Sequence, residues 1–533
     1  MIELLQRNAL NCGDHPALRV SGQPTLTWAE VDQRARAVAR SLGELVGPGD
    51  RVVLAFPLDV DFLPALFGCW YAGAVAVPVP PGRAGEMAAM HAQARASITT
   101  AELAESVPGT VLTVPAAVSA PVGPVPDRPV HDLALIQYTS GSTGVPKGVL
   151  VSHRNYRHNL RMLDEFYRGI APQVDDLEMV SWLPHFHDMG LALMMYTVLR
   201  GGTMTMISPL AFLKDPASWL RTIGEVGGNL TAAPNFAFDL CVRRVPADTV
   251  EQLDLSSMRA LLNAAEPVRP DTMRQFAEHF RLAGLRAETV APCYGLAENT
   301  VFVSGVRPRG GPRTVRFDRA ALQTGFAVED PAAGLELVSC GLRPEGLAVR
   351  IVDPQSLEEC PPGQLGEIWL HGPSVAHGYW QGPTSDVFNA RLAGSFDDQP
   401  YFRTGDRGFL WETELFVCGR LADLIRFNGR LLQPEDIEHA VERGVAELNG
   451  RRCAVVPYGV QGEQLAMAAE IRLELPLDDR DRDAIESAIR KMAAAEHSVD
   501  IAKIVLLPTG AIPVTTSGKV KRTKTRDLVA AAN

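Results

Sequence analysis

The stretch 138–148, YTSGSTGVPKG, sets three glycines, four Ser/Thr hydroxyls and one lysine in consecutive positions. Glycine adds no buried area and hydroxyls need partners, so the stretch suits a loop over an anion better than a core. Backbone N–H groups of a glycine-rich turn converge on phosphate oxygens, hydroxyls add donors, and Lys147 supplies a positive point charge. The common nucleotide pattern G-x-x-x-x-G-K-[ST] does not fit. Counted from Gly141, Pro146 stands where its second glycine belongs, and Gly148 follows Lys147 in place of a hydroxyl. This is a phosphate loop of another design. The chain holds only seven lysines, and a second one, Lys519, also stands in a glycine-flanked segment, TSGKV. His185 and His187 in HFHDMG do not read as a zinc site, because no further His or Cys is spaced to complete one.

Such groups need a scaffold, and the spacing of apolar runs describes one. The segments 51–56 (RVVLAF), 73–79 (GAVAVPV), 178–184 (EMVSWLP), 201–207 (GGTMTMI) and 228–234 (GNLTAAP) are short, apolar and bounded by Gly or Pro. Runs of that kind, separated by helix-like stretches, predict buried strands of largely parallel sheets, an α/β architecture. The stretch 107–130 has six prolines and almost no charge, and reads as an extended connection into the phosphate loop. A boundary is expected near Arg420. Beyond it, strand-like 453–460 and 464–473, a helix with Ile485, Ile489 and Met492 on one stripe, and 502–508 make a small α/β unit. The expected division is a large domain over 1–420 and a small mobile one over 421–533.

The chain has 533 residues, 46% hydrophobic and 21% charged, with a formal charge of −11. That charge argues against broad nucleic-acid affinity, which needs a basic face. The start has no basic segment followed by an apolar run and cleavage site, and the densest apolar stretch, 190–199, is about half the length of a membrane span. A cytoplasmic enzyme acting on small molecules, without a membrane span, is the expectation. The eight cysteines form no C-x-x-C pair, so neither disulfides nor zinc is expected.

In fixed order after the loop come SWLPHFHDMGL (181–191), NAAEPV (263–268), PCYGLAENT (292–300), GEIWLHGPSVAHGYW (366–380), YFRTGD (401–406), GRLADLI (419–425) and PVTTSGKVKR (513–522). This series resembles the adenylate-forming superfamily of acyl-CoA synthetases, peptide-synthetase adenylation domains and luciferases, over nearly the whole chain. The wording APNFAFDLCVRRV, SPLAFLKDPASWL and CYGLAENTVFVSG is similar to one branch, the fatty acyl-AMP ligases, which activate acyl chains for carrier proteins. The long connection between Glu298 and Ser339 matches that branch too; its candidate family insertion is about 309–334, associated in the family with poor use of coenzyme A. Three departures stand out: Ala264 where glycine is common, His185 where an apolar residue is usual, and RFNGRLLQP after the hinge.

The resemblance implies ATP and Mg2+ as cofactors, a fatty or related carboxylic acid as substrate, and an acyl carrier protein arriving in trans. Thr139, Ser140, Gly141, Ser142, Thr143, Gly144 and Lys147 would hold the leaving phosphates. Lys519 would be the catalytic lysine, with His187 at the junction of acyl tunnel and nucleotide. Ala265, Glu266, Pro267, Tyr294, Gly295 and Leu296 would border adenine, Asp406 and Arg420 the ribose, and Glu298 would bind magnesium. Asp423 would be the hinge. His185, Asp188, Met189, Phe236 and Phe238 are the candidate acyl pocket. An acyl-CoA synthetase using free coenzyme A, or an amino-acid or aryl-acid adenylating enzyme, are the alternatives.

Overall fold

In the computed structural model the described residues are 1–107, 109–119, 130–139, 147–172, 174, 176–306, 311–382, 385–394, 398–448, 450–459, 462–472, 478–515 and 518–532. Ser140, Gly141, Ser142, Thr143 and Gly144 lie outside them.

The apolar runs form two sheets. One has the strand order Thr110–Leu112, Ala96–Thr99, Arg51–Ala55, Val75–Val79, Leu133–Thr139, Lys147–Ser152. Its pairs are parallel except the last, a hairpin in which Thr139 stands opposite Lys147. The other runs Phe302–Gly305, Val290–Gly295, Ala260–Ala264, Leu230–Pro234, Glu178–Ser181, Thr203–Met206, Pro16–Val20, Leu26–Thr27, parallel inside and antiparallel at both edges. Val75–Val79 and Leu230–Pro234 are buried at every position, as strands covered on both faces must be. Side chains of both sheets join one core, with the wholly buried helix Phe62–Tyr71 inside it.

Helix Asp188–Arg200 contains the dense apolar stretch and buries Gly190 through Val198 in that core. No described helix is long and apolar enough to cross a membrane. All eight cysteines are free thiols.

An antiparallel sheet, Ala348–Val352, Gly366–His371, Phe402–Trp411 and Glu414–Arg420, follows. Beyond Arg420 the chain builds a separate core. Strands Cys453–Tyr458, Gln464–Ile471 and Lys503–Pro508 are flanked by helices Pro434–Gly444, Asp479–His497 and Arg522–Ala531, and Ile485 and Ile489 are buried there.

One expectation needs correction. The stretch 107–130 is not wholly an extended connection: Thr110–Leu112 adds an edge strand to the six-stranded sheet, and helix Val114–Ser119 buries Val114 and Ala117. Apolar burial outweighs the proline signal there. The region of the candidate insertion carries regular structure of its own. Thr314–Phe317 pairs antiparallel with Leu335–Val338, and helix Arg319–Thr324 lies between them in sequence. Phe317, Leu322 and Ala327 pack on Phe409 and Phe416 of the antiparallel sheet, and Arg319 reaches His497 at 3.1 Å.

Candidate active site

A cleft of about 970 Å³ opens at the carboxyl ends of the parallel strands, where ligands of such sheets bind. It draws together Thr139, Lys147, His187, Asp188, Met189, Phe236, Ala265, Glu266, Pro267, Tyr294, Gly295, Leu296, Glu298, Asp406, Arg420, Asp423 and Lys519.

Asp406 and Arg420 are cross-strand partners on the last rung of the antiparallel ladder. Arg420 Nε lies 3.2 Å from one carboxylate oxygen of Asp406, and the Tyr294 hydroxyl donates to the other at 2.6 Å. Burial and Asp406 push the phenol's pKa far above its ordinary value, so Tyr294 keeps its proton and remains a donor. Asp406 in turn raises the pKa of Arg420, against the opposing effect of burial. The three side chains form one connected group on the cleft wall, with Tyr294 and Asp406 buried and Arg420 partly exposed.

Gly295 is required by a close approach: a Cβ there would meet the Val301 carbonyl oxygen at 2.0 Å. The tight loop that follows, closed by Leu296 N–H to Val301 O at 2.8 Å, carries Glu298 at its tip. Thr300 completes it at φ +68, unusual for a β-branched residue. Ala265 also has φ +71, so both loops beside the cleft hold strained backbone, a cost of order 1–3 kcal/mol each that accompanies functional sites. Glu266 turns inward, its carboxylate accepting the Phe236 N–H; burial raises its pKa, while that N–H and the Lys519 charge oppose the rise.

Glu298 accepts the Tyr379 hydroxyl at 2.8 Å. Burial raises its pKa, and Tyr379 and Arg420 offset this by favouring the carboxylate. Among the described residues no group of three or more His, Cys, Asp or Glu could hold a metal by itself. A lone carboxylate facing a space for phosphates is a donor set that fits magnesium, which keeps waters and shares its shell with nucleotide oxygens.

Lys519 is exposed on a turn held by Thr515 N–H to Lys519 O at 2.8 Å and Lys519 N–H to Thr515 Oγ1 at 3.1 Å. Its charge favours the ionised forms of Glu266 and Asp423, both of which line the cleft. Asp423 ends the short helix Leu421–Asp423, with Arg522 3.7 Å away.

His187 caps helix Asp188–Arg200 and lines the cleft with Asp188 and Met189. The structure does not bring His185 and Phe238 to the cleft lining. Phe236 and Phe238 are two apart on helix Asn235–Arg244, so about 200° separates them around its axis. Phe236 takes the cleft side, and Phe238 is buried against Phe276 and Trp219. The His185 ring packs 4.1 Å from that of Phe62, and burial depresses its pKa to about 3, leaving it neutral.

Two residues at the cleft had been assigned no role. Tyr379, quoted above within GYW, lies under the Lys147 ammonium, 5.1 Å from ring centroid to nitrogen. Arg522, the last residue of the quoted run PVTTSGKVKR, lies largely buried among Glu435, Glu438 and Asp423 at 2.8, 2.6 and 3.7 Å. The four acidic residues of 435–442, Glu435, Asp436, Glu438 and Glu442, are the sequence signal for a cation partner.

Residues 5–380 match the AMP-binding enzyme family. A Mycobacterium tuberculosis protein provisionally named fatty-acid–CoA ligase FadD21 is 38% identical over 542 residues, covering 93% of this chain and 91% of its own. The medium-chain-fatty-acid–[acyl-carrier-protein] ligase JamA of Moorena producens is 35% identical, covering 94% and 89%. Among solved structures, the fatty acyl-adenylate ligase of L. pneumophila with acyl adenylate and pyrophosphate superposes with a TM-score of 0.74 at 32% identity, over 100% of this chain and 96% of that one. On fold, motif order and these likenesses together, the chain belongs to the AMP-binding enzymes, in the fatty acyl-AMP ligase branch of the adenylate-forming superfamily.

Proposed function

We propose that this protein activates a fatty acid with ATP to acyl-AMP and passes the acyl group to the phosphopantetheine thiol of an acyl carrier protein acting in trans. One observation carries the reading: Lys147, Glu298, the Tyr294–Asp406–Arg420 group and Lys519 line one cleft although the chain spaces them over hundreds of residues.

In the first half-reaction a carboxylate oxygen of the acid bonds to the α-phosphorus, the bond to the β-phosphate oxygen breaks, and pyrophosphate leaves. Charge spreads over phosphate oxygens, so fixed cations and N–H groups do most of the work. Lys147 with Thr139 and the loop 140–144 holds the departing phosphates, and Lys519 bridges the acyl carboxylate and the α-phosphate. Asp406 and Arg420 grip the ribose, and Tyr294 with 265–267 and 295–296 borders the adenine. Magnesium, held by Glu298, neutralises phosphate charge when bound. In the second half-reaction the thiol sulfur bonds to the acyl carbon, AMP departs with the electron pair of the cleaved bond, and the thiol proton goes to solvent. Residues 421–533 act as the mobile unit, turning at Asp423, while 1–420 retain the nucleotide. His187, Asp188, Met189 and Phe236 border the acyl entrance, and the cytoplasm is the proposed compartment.

The name of FadD21 keeps free coenzyme A in view as an acceptor; the folded insertion and the likeness to JamA support the carrier protein instead. Asp239, the candidate amino-group ligand of an amino-acid enzyme, is within 3.4 Å of Asn235 Nδ2 and is absent from the cleft lining, which speaks for a fatty acid. Incubation with ATP, Mg2+ and fatty acids of graded length, with and without coenzyme A or a phosphopantetheinylated carrier protein, tests this by mass spectrometry. Acyl-AMP that persists with coenzyme A but is consumed by the carrier is expected; acyl-CoA as the main product refutes the acceptor, and no adenylate refutes the activity.

A further inference from the structure

Tyr379 touches both charged groups that the proposed reaction needs at the phosphates. Its hydroxyl donates to Glu298 Oε1 at 2.8 Å, and its ring lies beneath the Lys147 ammonium at 5.1 Å. The backbone around it is tied to each of them. Trp380 N–H bonds to Gly148 O at 2.7 Å, Leu150 N–H to Gly378 O at 2.9 Å, and His377 N–H to Leu150 O at 2.9 Å, which lays the segment along the lysine-bearing strand. Ala376 N–H bonds to Glu298 O at 2.8 Å, which fastens the same segment to the glutamate loop. Phe388 stands edge-on to the tyrosine ring at 5.1 Å, and the neighbouring Trp380 indole donates to His91 O at 3.0 Å.

An aromatic face attracts an ammonium without cancelling its charge, as a carboxylate partner would. A hydroxyl occupies one direction on one carboxylate oxygen and leaves the others for a metal, fixing the carboxylate's orientation. We propose that Tyr379 is a positioning residue, setting the Lys147 ammonium and the Glu298 carboxylate at a fixed separation before ATP and its metal arrive. The role rests on the assignment of Glu298 to magnesium made above.

The test is ATP binding by isothermal titration calorimetry without fatty acid, so that no turnover occurs, over a series of Mg2+ concentrations. Glu298→Gln and Tyr379→Phe each raise the Mg2+ needed for half-maximal ATP binding about tenfold, the usual scale for losing a ligand's supporting partner. Tyr379→Phe leaves ATP affinity at saturating Mg2+ within about twofold, whereas Tyr379→Leu weakens it about fivefold as the ring is lost. Circular dichroism checks that each variant is folded, and Tyr379→Met, which also lacks a ring and should match Tyr379→Leu, stands in where Leu does not fold. A wild-type Mg2+ dependence in Tyr379→Phe, with a shift in Glu298→Gln, overturns the hydroxyl's role alone. Equal ATP affinities for the Leu and Phe variants overturn the ring's role. No shift in Glu298→Gln removes the magnesium assignment, and the role of Tyr379 with it.

Discussion

Replacing Arg522 by Met should expose how the small C-terminal core is held together near Lys519. Arg522 meets Glu438 through two nitrogens, at 2.6 and 3.1 Å, and also donates to the Val455 carbonyl at 3.1 Å. The Glu438 side chain is 8% exposed, and among the described residues it also accepts the Val455 N–H at 2.7 Å. Taking away the guanidinium therefore strands a buried carboxylate, at a cost of about 3–5 kcal/mol. Burial pushes the pKa of Glu438 up while the pair pushes that of Arg522 up as well, so desolvation removes part of what pairing gives. The lower end, about 3 kcal/mol, is the expectation. Glu438→Gln keeps an oxygen for Val455 and leaves Arg522 with Glu435 and Asp423, so it should cost only about 1 kcal/mol. The double variant should be more stable than Arg522→Met by about 2 kcal/mol, since an unpaired amide is cheaper to bury than an unpaired charge. Hydrogen exchange of the slowest amides in Gln464–Ile471 reads this directly, because the seven tryptophans all precede residue 420 and report on the rest of the chain. Equal costs for the two single variants, or a double variant no better than Arg522→Met, would refute the reasoning.

Glu442, whose carboxylate accepts the Cys453 N–H at 2.8 Å, has its pKa pushed up to about 8, chiefly by burial and further by Glu438, with Arg452 and Arg269 opposing. A raised carboxyl pKa means the folded form keeps a proton the unfolded chain has lost, so stability falls as pH rises from the unfolded value through 8. Because the residue is only partly buried, about 2 kcal/mol should be lost between pH 6 and 9 and spared in Glu442→Gln; parallel urea midpoints for the two proteins would count against it. Lys519→Ala should slow pyrophosphate release at least about 100-fold yet leave acyl transfer from supplied acyl-AMP within a few-fold, and comparable losses in the two assays would deny Lys519 its assigned half-reaction. Asp423→Pro should impair transfer to the carrier protein more than adenylation, measured as the ratio of the two single-turnover rates; an unchanged ratio would move the hinge elsewhere.

The parallel sheets were legible because their strands are short apolar runs that leave no surface face, and the residues that line the cleft were legible because they sit in ordered motifs, some at the ends of those strands and some on the antiparallel ladder. Contacts across the fold were not. His185 meets Phe62, 123 positions earlier by residue number, and no local pattern announces that pairing. Phe236 and Phe238 were grouped by proximity in sequence, although helical rotation sends them to different sides. Nothing local marks Arg522 as an ion-pair centre, because its three acidic partners lie on other segments. Leu335–Val338 was not legible as a strand because it becomes one by pairing with Thr314–Phe317, and its own sequence is a weak signal.

The rung Asp406–Arg420 closes the antiparallel ladder immediately before the chain enters its last core. Every side chain proposed to grip the nucleotide or metal thus precedes residue 421, while Lys519 follows it. For protein engineering that rung is a natural splice point. A chimera exchanging residues 421–533 takes Lys519 from one parent and the side chains proposed to hold the nucleotide from the other, provided the Arg269–Asp436 pair at 2.7 Å is kept across the seam.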